Sequence, residues 1–251
     1  MECRKGFLDL VLVPLAFLLS ILYHAFLWYR VKNHPLKTVI GINSIGRRLW
    51  VKGIMKGGSD KNGVLAVQTL RSSIMGSILM ATTSIILGCG LAGMISSTYT
   101  IKKPLNDTPF GSHGNFILAV KYLLILMFLI FSFICHSLSI CYQCEVGSLI
   151  ATPIRRHELA GLISTDYVCE MLEKGFAFNI VGDRVFYGGF PLLFWVVGPL
   201  PVFLGSALLV PVLYSTDFVS SSVIGNRNTD IETRKQKKVS GKLGEKEESI
   251  R

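Results

Sequence analysis

Hydrophobic and polar positions along this chain fall into long blocks rather than into a short alternation. Four blocks are apolar: Gly6–Trp28, about Ile74–Ile95 inside the uncharged stretch Ser72–Ile101, about Phe116–Ile140, and about Phe190–Tyr214. Each supplies the roughly 20 apolar residues that a helical bilayer crossing needs. The last block lies within 32 consecutive residues, Val185–Thr216, that contain no Asp, Glu, Lys or Arg. That length fits one kinked crossing and not two, which need about 40 apolar residues plus a turn. Four prolines (Pro191, Pro199, Pro201, Pro211) lie inside it. Each leaves a carbonyl unpaired in the preceding turn, and hydrocarbon cannot satisfy it, so this span is expected to pack against protein. The fold class is therefore all-α membrane protein: a four-transmembrane-helix bundle over residues 1–220, with short cytosolic amphipathic helices. A charged C-terminal tail, 221–251, is expected to be disordered, being polar and of mixed sign.

Between the blocks the polar pattern has structure of its own. Asn43 is placed to cap a helix over about Ser44–Met55 that Gly57-Gly58 ends. On it Arg48, Lys52 and Lys56 repeat at four-residue spacing on one face, and Ile45, Leu49, Trp50, Val51 and Ile54 supply an apolar sector. This amphipathic helix suits the headgroup plane with Trp50 as anchor, or the protein's own cytosolic surface. Arg47, Arg48, Trp50, Lys52 and Lys56 are its candidate lipid-headgroup contacts. A further helix starts at Asn62 and runs into the second span. Ser164 or Thr165 opens a short helix, TDYVCEMLEKG, with Gly175 as its stop.

Composition sharpens this picture. The chain has 251 residues, is 50% hydrophobic and only 17% charged, and carries a net charge of +10. Residues 30–73 hold nine Lys/Arg against one acid, Asp60. Basic residues that flank apolar spans favour anionic headgroups over nucleic acid as partner. By the positive-inside rule the loops 30–73 and 143–189 are cytosolic, with both termini on the opposite side. The first span follows Arg4 and Lys5 but is longer than a signal-peptide core and lacks a small-x-small cleavage site, so it reads as retained.

Ionisable residues near the spans are the candidate chemistry. Asp9 and Lys121 lie at similar depth near the outer side and form a candidate ion pair. His24, Arg71, His136, Asp183 and Arg184 reach the cytosolic level of all four spans. Together they form a candidate polar cluster for an anion, a headgroup or a proton relay, or an ordinary interfacial belt. Cys141 and Cys144 form a CxxC with no second pair, which falls short of a zinc site and better suits a lipidated juxtamembrane thiol. GxSxG, Walker and HExxH patterns are missing, and Gly88, Gly90 and Gly93, which match GxGxxG, lie on the second apolar span, where close helix contact explains them, so no catalytic residue, metal or cofactor is expected.

Three blocks carry a family resemblance: LDLVLVPLAFLLSILYHAFLWYRVKNHPLKTVIGINSIGRRLWV, GVLAVQTLRSSIM, and VGDRVFYGGFPLLFWVVGPLPVF…LVPVLYSTDF. With EVGSLIATP and YVCEMLEKGFAF they resemble the plant members of the DUF599 family over about residues 7–220. The resemblance implies a multi-pass membrane protein with no established activity. The family pattern has Asn after the LR of the second block and Asn before the Arg of the third, where this chain has Ser72 and Asp183. The expected function is a non-enzymatic accessory or scaffold protein in the plasma membrane or an endomembrane. It would contact membrane lipids and either a membrane-protein partner or further copies of itself. The alternative is a small oligomeric channel or transporter.

Overall fold

A computed structural model describes residues 2–57, 60–102, 113–151, 164–196 and 198–219. The tail 221–251 lies outside the described residues, as does the side chain of Asp9, and with it the Asp9–Lys121 pair. Six helices make up the described chain: α1 (Glu2–Asn33), α2 (Val39–Gly57), α3 (Asp60–Lys102), α4 (His113–Ala151), α5 (Thr165–Leu193) and α6 (Pro199–Asp217). Four of them contain segments long and apolar enough to cross a membrane: Val11–Asn33, Gly63–Ser97, Ala119–Ala151 and Pro199–Asp217. The all-α membrane bundle is as the sequence predicts, and the protein is an integral membrane protein.

Three helices, α3, α4 and α5, pack side by side with α4 in the middle. Besides Cys135, the buried positions of α4 are Tyr122, Ile125, Leu129, Ser132, His136, Ser139, Gln143 and Val146. Their spacing alternates strictly between three and four residues, the period of a left-handed coiled coil. Lipid tails are as apolar as leucine, so such a seam gains little from burying bulk and much from close approach. On α3 the seam uses Ala66, Ser77, Ala81 and Ser84. On α5 it uses Gly175, Gly182 and Gly189, one glycine per heptad. A Cβ at Gly175 would lie 3.1 Å from Cβ of Tyr142, and one at Gly189 would lie 3.1 Å from Cβ of Phe128.

This glycine spacing explains two departures from expectation. Ser164 caps α5 as predicted, its Oγ accepting the N–H of Asp166 at 3.2 Å. Gly175 does not stop the helix: it is a contact point against α4, and α5 continues to Leu193. Nor is 182–218 one kinked crossing. The chain breaks at the one-turn 3-10 helix Phe194–Val196, and Pro199 starts α6 at its first turn. Proline excludes helical geometry from the residue before it, and Gly198 is extended. The two limbs run antiparallel, with Gly205 of α6 against Pro191 and Asp217 of α6 paired with Arg184.

The extra limb changes where the chain emerges. The expectation that the termini lie opposite the large loops fails for the end of α6. The N–H of Val219 donates to the carbonyl of Lys37 at 3.3 Å, and Phe218 pairs with Thr38 in an isolated β-bridge. The end of α6 therefore sits beside loop 30–73, at the C-terminal end of α1.

Outside the membrane-length segments, α2 docks on the first half of α5. Its start differs from the predicted Asn43: the Oγ1 of Thr38 accepts the N–H of Gly41 at 3.2 Å, and α2 begins at Val39. Val51 of α2 is fully buried in a cluster with Leu70, Val146, Val168 and Leu172, against which Trp50 packs.

A polar seam and a buried carboxylate triad

The middle of the α3–α4–α5 seam is polar. His136 has no exposure, and Asn179 reaches it from α5. The Oδ1 of Asn179 accepts twice, from Oγ of Ser77 at 2.7 Å and from Nδ1 of His136 at 3.3 Å. The amide Nδ2 of Asn179 donates to Oδ2 of Asp183 at 3.3 Å. Asp183 Oδ1 lies 3.7 Å from the other ring nitrogen, Nε2 of His136. One turn deeper, Ser84 Oγ donates to Ser132 Oγ at 3.3 Å, and Ser132 Oγ donates to the carbonyl of Gly182 at 3.1 Å. One turn the other way, Gln143 Nε2 donates to Ser139 Oγ at 2.8 Å. All three helices thus supply polar side chains to one internal stripe, which rises by about 1.5 Å per residue toward the loop side.

The opposite face of α5 carries a second network. Arg184 Nη2 pairs with Oδ1 of Asp217 on α6, and the hydroxyl of Tyr23 on α1 donates to Oδ2 of the same carboxylate. Asp217 is 2% exposed. Three helices are pinned on one carboxylate whose charge is offset by one guanidinium. Beside it a cleft of about 220 Å³ opens between α1, α4, α5 and α6, lined by Phe17, His24, Phe128, Pro191, Leu209 and other residues. It is smaller than the roughly 300–1,000 Å³ usual for small-molecule sites.

A family model for proteins of unknown function, DUF599, matches residues 11–222. The chain belongs to the DUF599 family. No curated protein and no solved structure matches it significantly.

In this DUF599 protein the five residues of the predicted polar cluster do not meet at one place. His136 and Asp183 come together in the seam. Arg184 faces the triad. His24 lines the cleft, with its Nδ1 donating to the carbonyl of Ser20 at 2.7 Å. Arg71 is exposed on α3, nearly two turns before Ser77. Asp183 is turned to Asn179 and His136 and not to Arg71 or Arg184. Lys121 lies over the ring of Trp195, 5.0 Å from its centre.

The predicted headgroup contacts divide in the same way. Arg47 is turned onto α5, where Nε and Nη2 donate to the two oxygens of Glu173 at 3.0 and 3.1 Å. Ser44 donates to the same carboxylate at 2.7 Å, and Arg47 also lies over the Phe176 ring at 4.2 Å. Lys52 pairs with Asp166 at 3.1 Å. Arg48 and Lys56 are exposed, and Trp50 is half-buried. Of the two sequence readings of this helix, packing on the protein's own surface describes Arg47, Val51 and Trp50.

Sequence reasoning missed Tyr23, Ser77, Ser132, Asn179 and Asp217. It looked for polar residues at span ends. The signal that finds the seam is periodic: Ser132, His136, Ser139 and Gln143 follow the three-four spacing of the apolar residues before them.

Proposed function

We propose that this DUF599 protein is a non-enzymatic accessory or scaffold protein whose loop-side face meets lipid headgroups or a partner membrane protein. One observation carries the reading. The buried or half-buried charges Arg184, Asp217, Arg47 and Glu173 close on one another and on Tyr23 and Ser44. They act as struts between helices, while Arg48, Lys56 and Arg71 stay exposed on the loop side. Paired buried charges that join helices suit a rigid platform more than a moving site. With loops 30–73 and 143–189 in the cytosol, that basic face meets the anionic leaflet, whose attraction is about 1 kcal/mol per Lys or Arg near the surface. Affinity purification from native membranes tests the reading: recovery of one stoichiometric partner is the expected result. Loss of that partner in an Arg48→Glu/Lys56→Glu variant assigns the face.

A second reading, a small oligomeric channel or transporter, is favoured by the internal stripe Ser77–Asn179–His136–Asp183. Ionisable groups kept inside a membrane bundle commonly mark ion paths. Reconstitution into liposomes separates the two. Ion or solute flux that His136→Ala abolishes removes the scaffold reading, and silent liposomes remove the transporter.

A further inference from the structure

The hydrogen-bond arithmetic of the seam is short by one proton. The Oδ1 of Asn179 can only accept, so the Nδ1 of His136 carries a hydrogen toward it at 3.3 Å. In a neutral imidazole the other nitrogen, Nε2, is then a lone pair. That lone pair is buried without a hydrogen-bond partner and faces Oδ1 of Asp183 at 3.7 Å. Two acceptors confront each other inside a seam where His136 has no exposure at all. Among the described residues the Asp183 carboxylate has the amide of Asn179 as its one hydrogen-bond donor. Its neighbour Arg184 is turned to Asp217 and cannot neutralise it at contact.

We infer that His136 and Asp183 form a proton-binding site inside the bundle. A proton taken from solvent lands on Nε2, and the new N–H points at Oδ1 of Asp183; no other bond is broken. The unit then changes from a net negative charge to an internally neutral pair, the state that a low-dielectric interior favours. Among the described residues, the groups packed round it from the other helices carry no charge. From α3 they are Ser77 and Ser84, and from α4 Cys135 and Ser132. Asp183 is 30% exposed at its side chain, which gives the proton a way in that buried His136 lacks. The site also lies at a tight α4–α5 contact, where a Cβ at Gly182 would stand 2.9 Å from Nε2 of His136. Proton occupancy therefore acts on the α4–α5 contact itself.

The inference deepens the transporter reading but does not depend on it, because occupancy is measured without flux. In full-length protein in nanodiscs with ¹⁵N-labelled histidine, the His136 ring is expected to carry hydrogen on both nitrogens, or Asp183 to show a carboxylic-acid vibration. A ring with hydrogen on Nδ1 alone beside an ionised Asp183 overturns the inference. A pH titration of the same signal adds a second arm. Asp183→Asn is expected to weaken proton affinity at His136 at least tenfold, since a carboxylate at contact distance is a strong attractor. Glu173→Gln, on the same helix but outside the seam, should change it less than about threefold. Equal affinity in wild type and Asp183→Asn overturns the site even where liposomes show proton flux. Silent liposomes with an Asp183-dependent proton remove only the transporter.

Discussion

The docking of α2 on α5 can be tested through Glu173. Its carboxylate takes three hydrogen bonds, one from Ser44 and two from Arg47, and the paired side chains are 17% and 18% exposed. Hydrogen bonds to charged groups contribute about 1.5–3 kcal/mol each when well sheltered, and exposed pairs only about 0–1 kcal/mol. A forked pair with this residual exposure falls between, so Glu173→Ala should cost about 2–3 kcal/mol for the α2–α5 contact. The loss converts to about a 30- to 150-fold faster opening of α2 at 1.4 kcal/mol per factor of ten. Hydrogen–deuterium exchange on peptides from 39–57 reads this directly, because α2 can open without unfolding the spans. Glu170→Ala is the control, since Glu170 and its partner Lys174, one turn away at 2.8 Å, are both exposed. A double-mutant cycle with Arg47→Ala should return a coupling of about 1–2 kcal/mol. Coupling below about 0.5 kcal/mol, or α2 exchange no faster than in Glu170→Ala, would refute the docked position and return α2 to the headgroup plane.

Further outcomes follow from single residues. Gly182→Leu should lower stability in detergent by about 1–3 kcal/mol or more, because its Cβ meets His136; Gly188→Leu, with open space at its Cβ, should not, and equal thermal denaturation of the two would count against the glycine seam. Asp217→Ala strands Arg184 and should cost about 3–5 kcal/mol, whereas Tyr23→Phe removes one hydrogen bond and should cost about 1–2 kcal/mol in the same assay. Burial pushes the Cys169 thiol above its ordinary value, so its thiolate fraction at pH 8 is low and maleimide should label exposed Cys144 well before it, the gap narrowing as pH rises. Cysteines placed at Leu36 and Val219 should label from the same side of sealed vesicles, and labelling from opposite sides would contradict the pairing of Lys37 with Val219.

The parts of the fold that were legible in the sequence are those in which one physical term dominates. Long uncharged runs in α1, α3 and α4 leave no alternative to a membrane-length helix, and Ser164 before an acidic first turn signals a helix start. The length of α5 was hidden because three of its residues carry opposite meanings in different settings. Gly175, Gly182 and Gly189 each read as a breaker when met singly. At seven-residue spacing they are the side of a helix that touches another backbone. Asn179, Asp183 and Arg184 then interrupted the apolar run, so a window average places α5 outside the membrane segments although it packs along α4. Asp217 fell beyond the last apolar block, Phe190–Tyr214, yet it is 2% exposed.

The pair Asp183–Arg184 shows why depth alone misassigns partners. The sequence puts both at one level and next to each other, and neighbouring opposite charges suggest a local pair. On an α-helix consecutive residues point about 100° apart, since 3.6 residues make a turn. Asp183 shares its face with Asn179, one turn away, and reaches His136 of α4. Arg184 is carried round toward α6 and meets Asp217. The two charges therefore serve different interfaces, one internal to the α3–α4–α5 stack and one joining that stack to the α1–α6 pair. A helix that carried either residue alone would fasten only one of these interfaces. Carrying both lets one turn of α5 fasten the two interfaces.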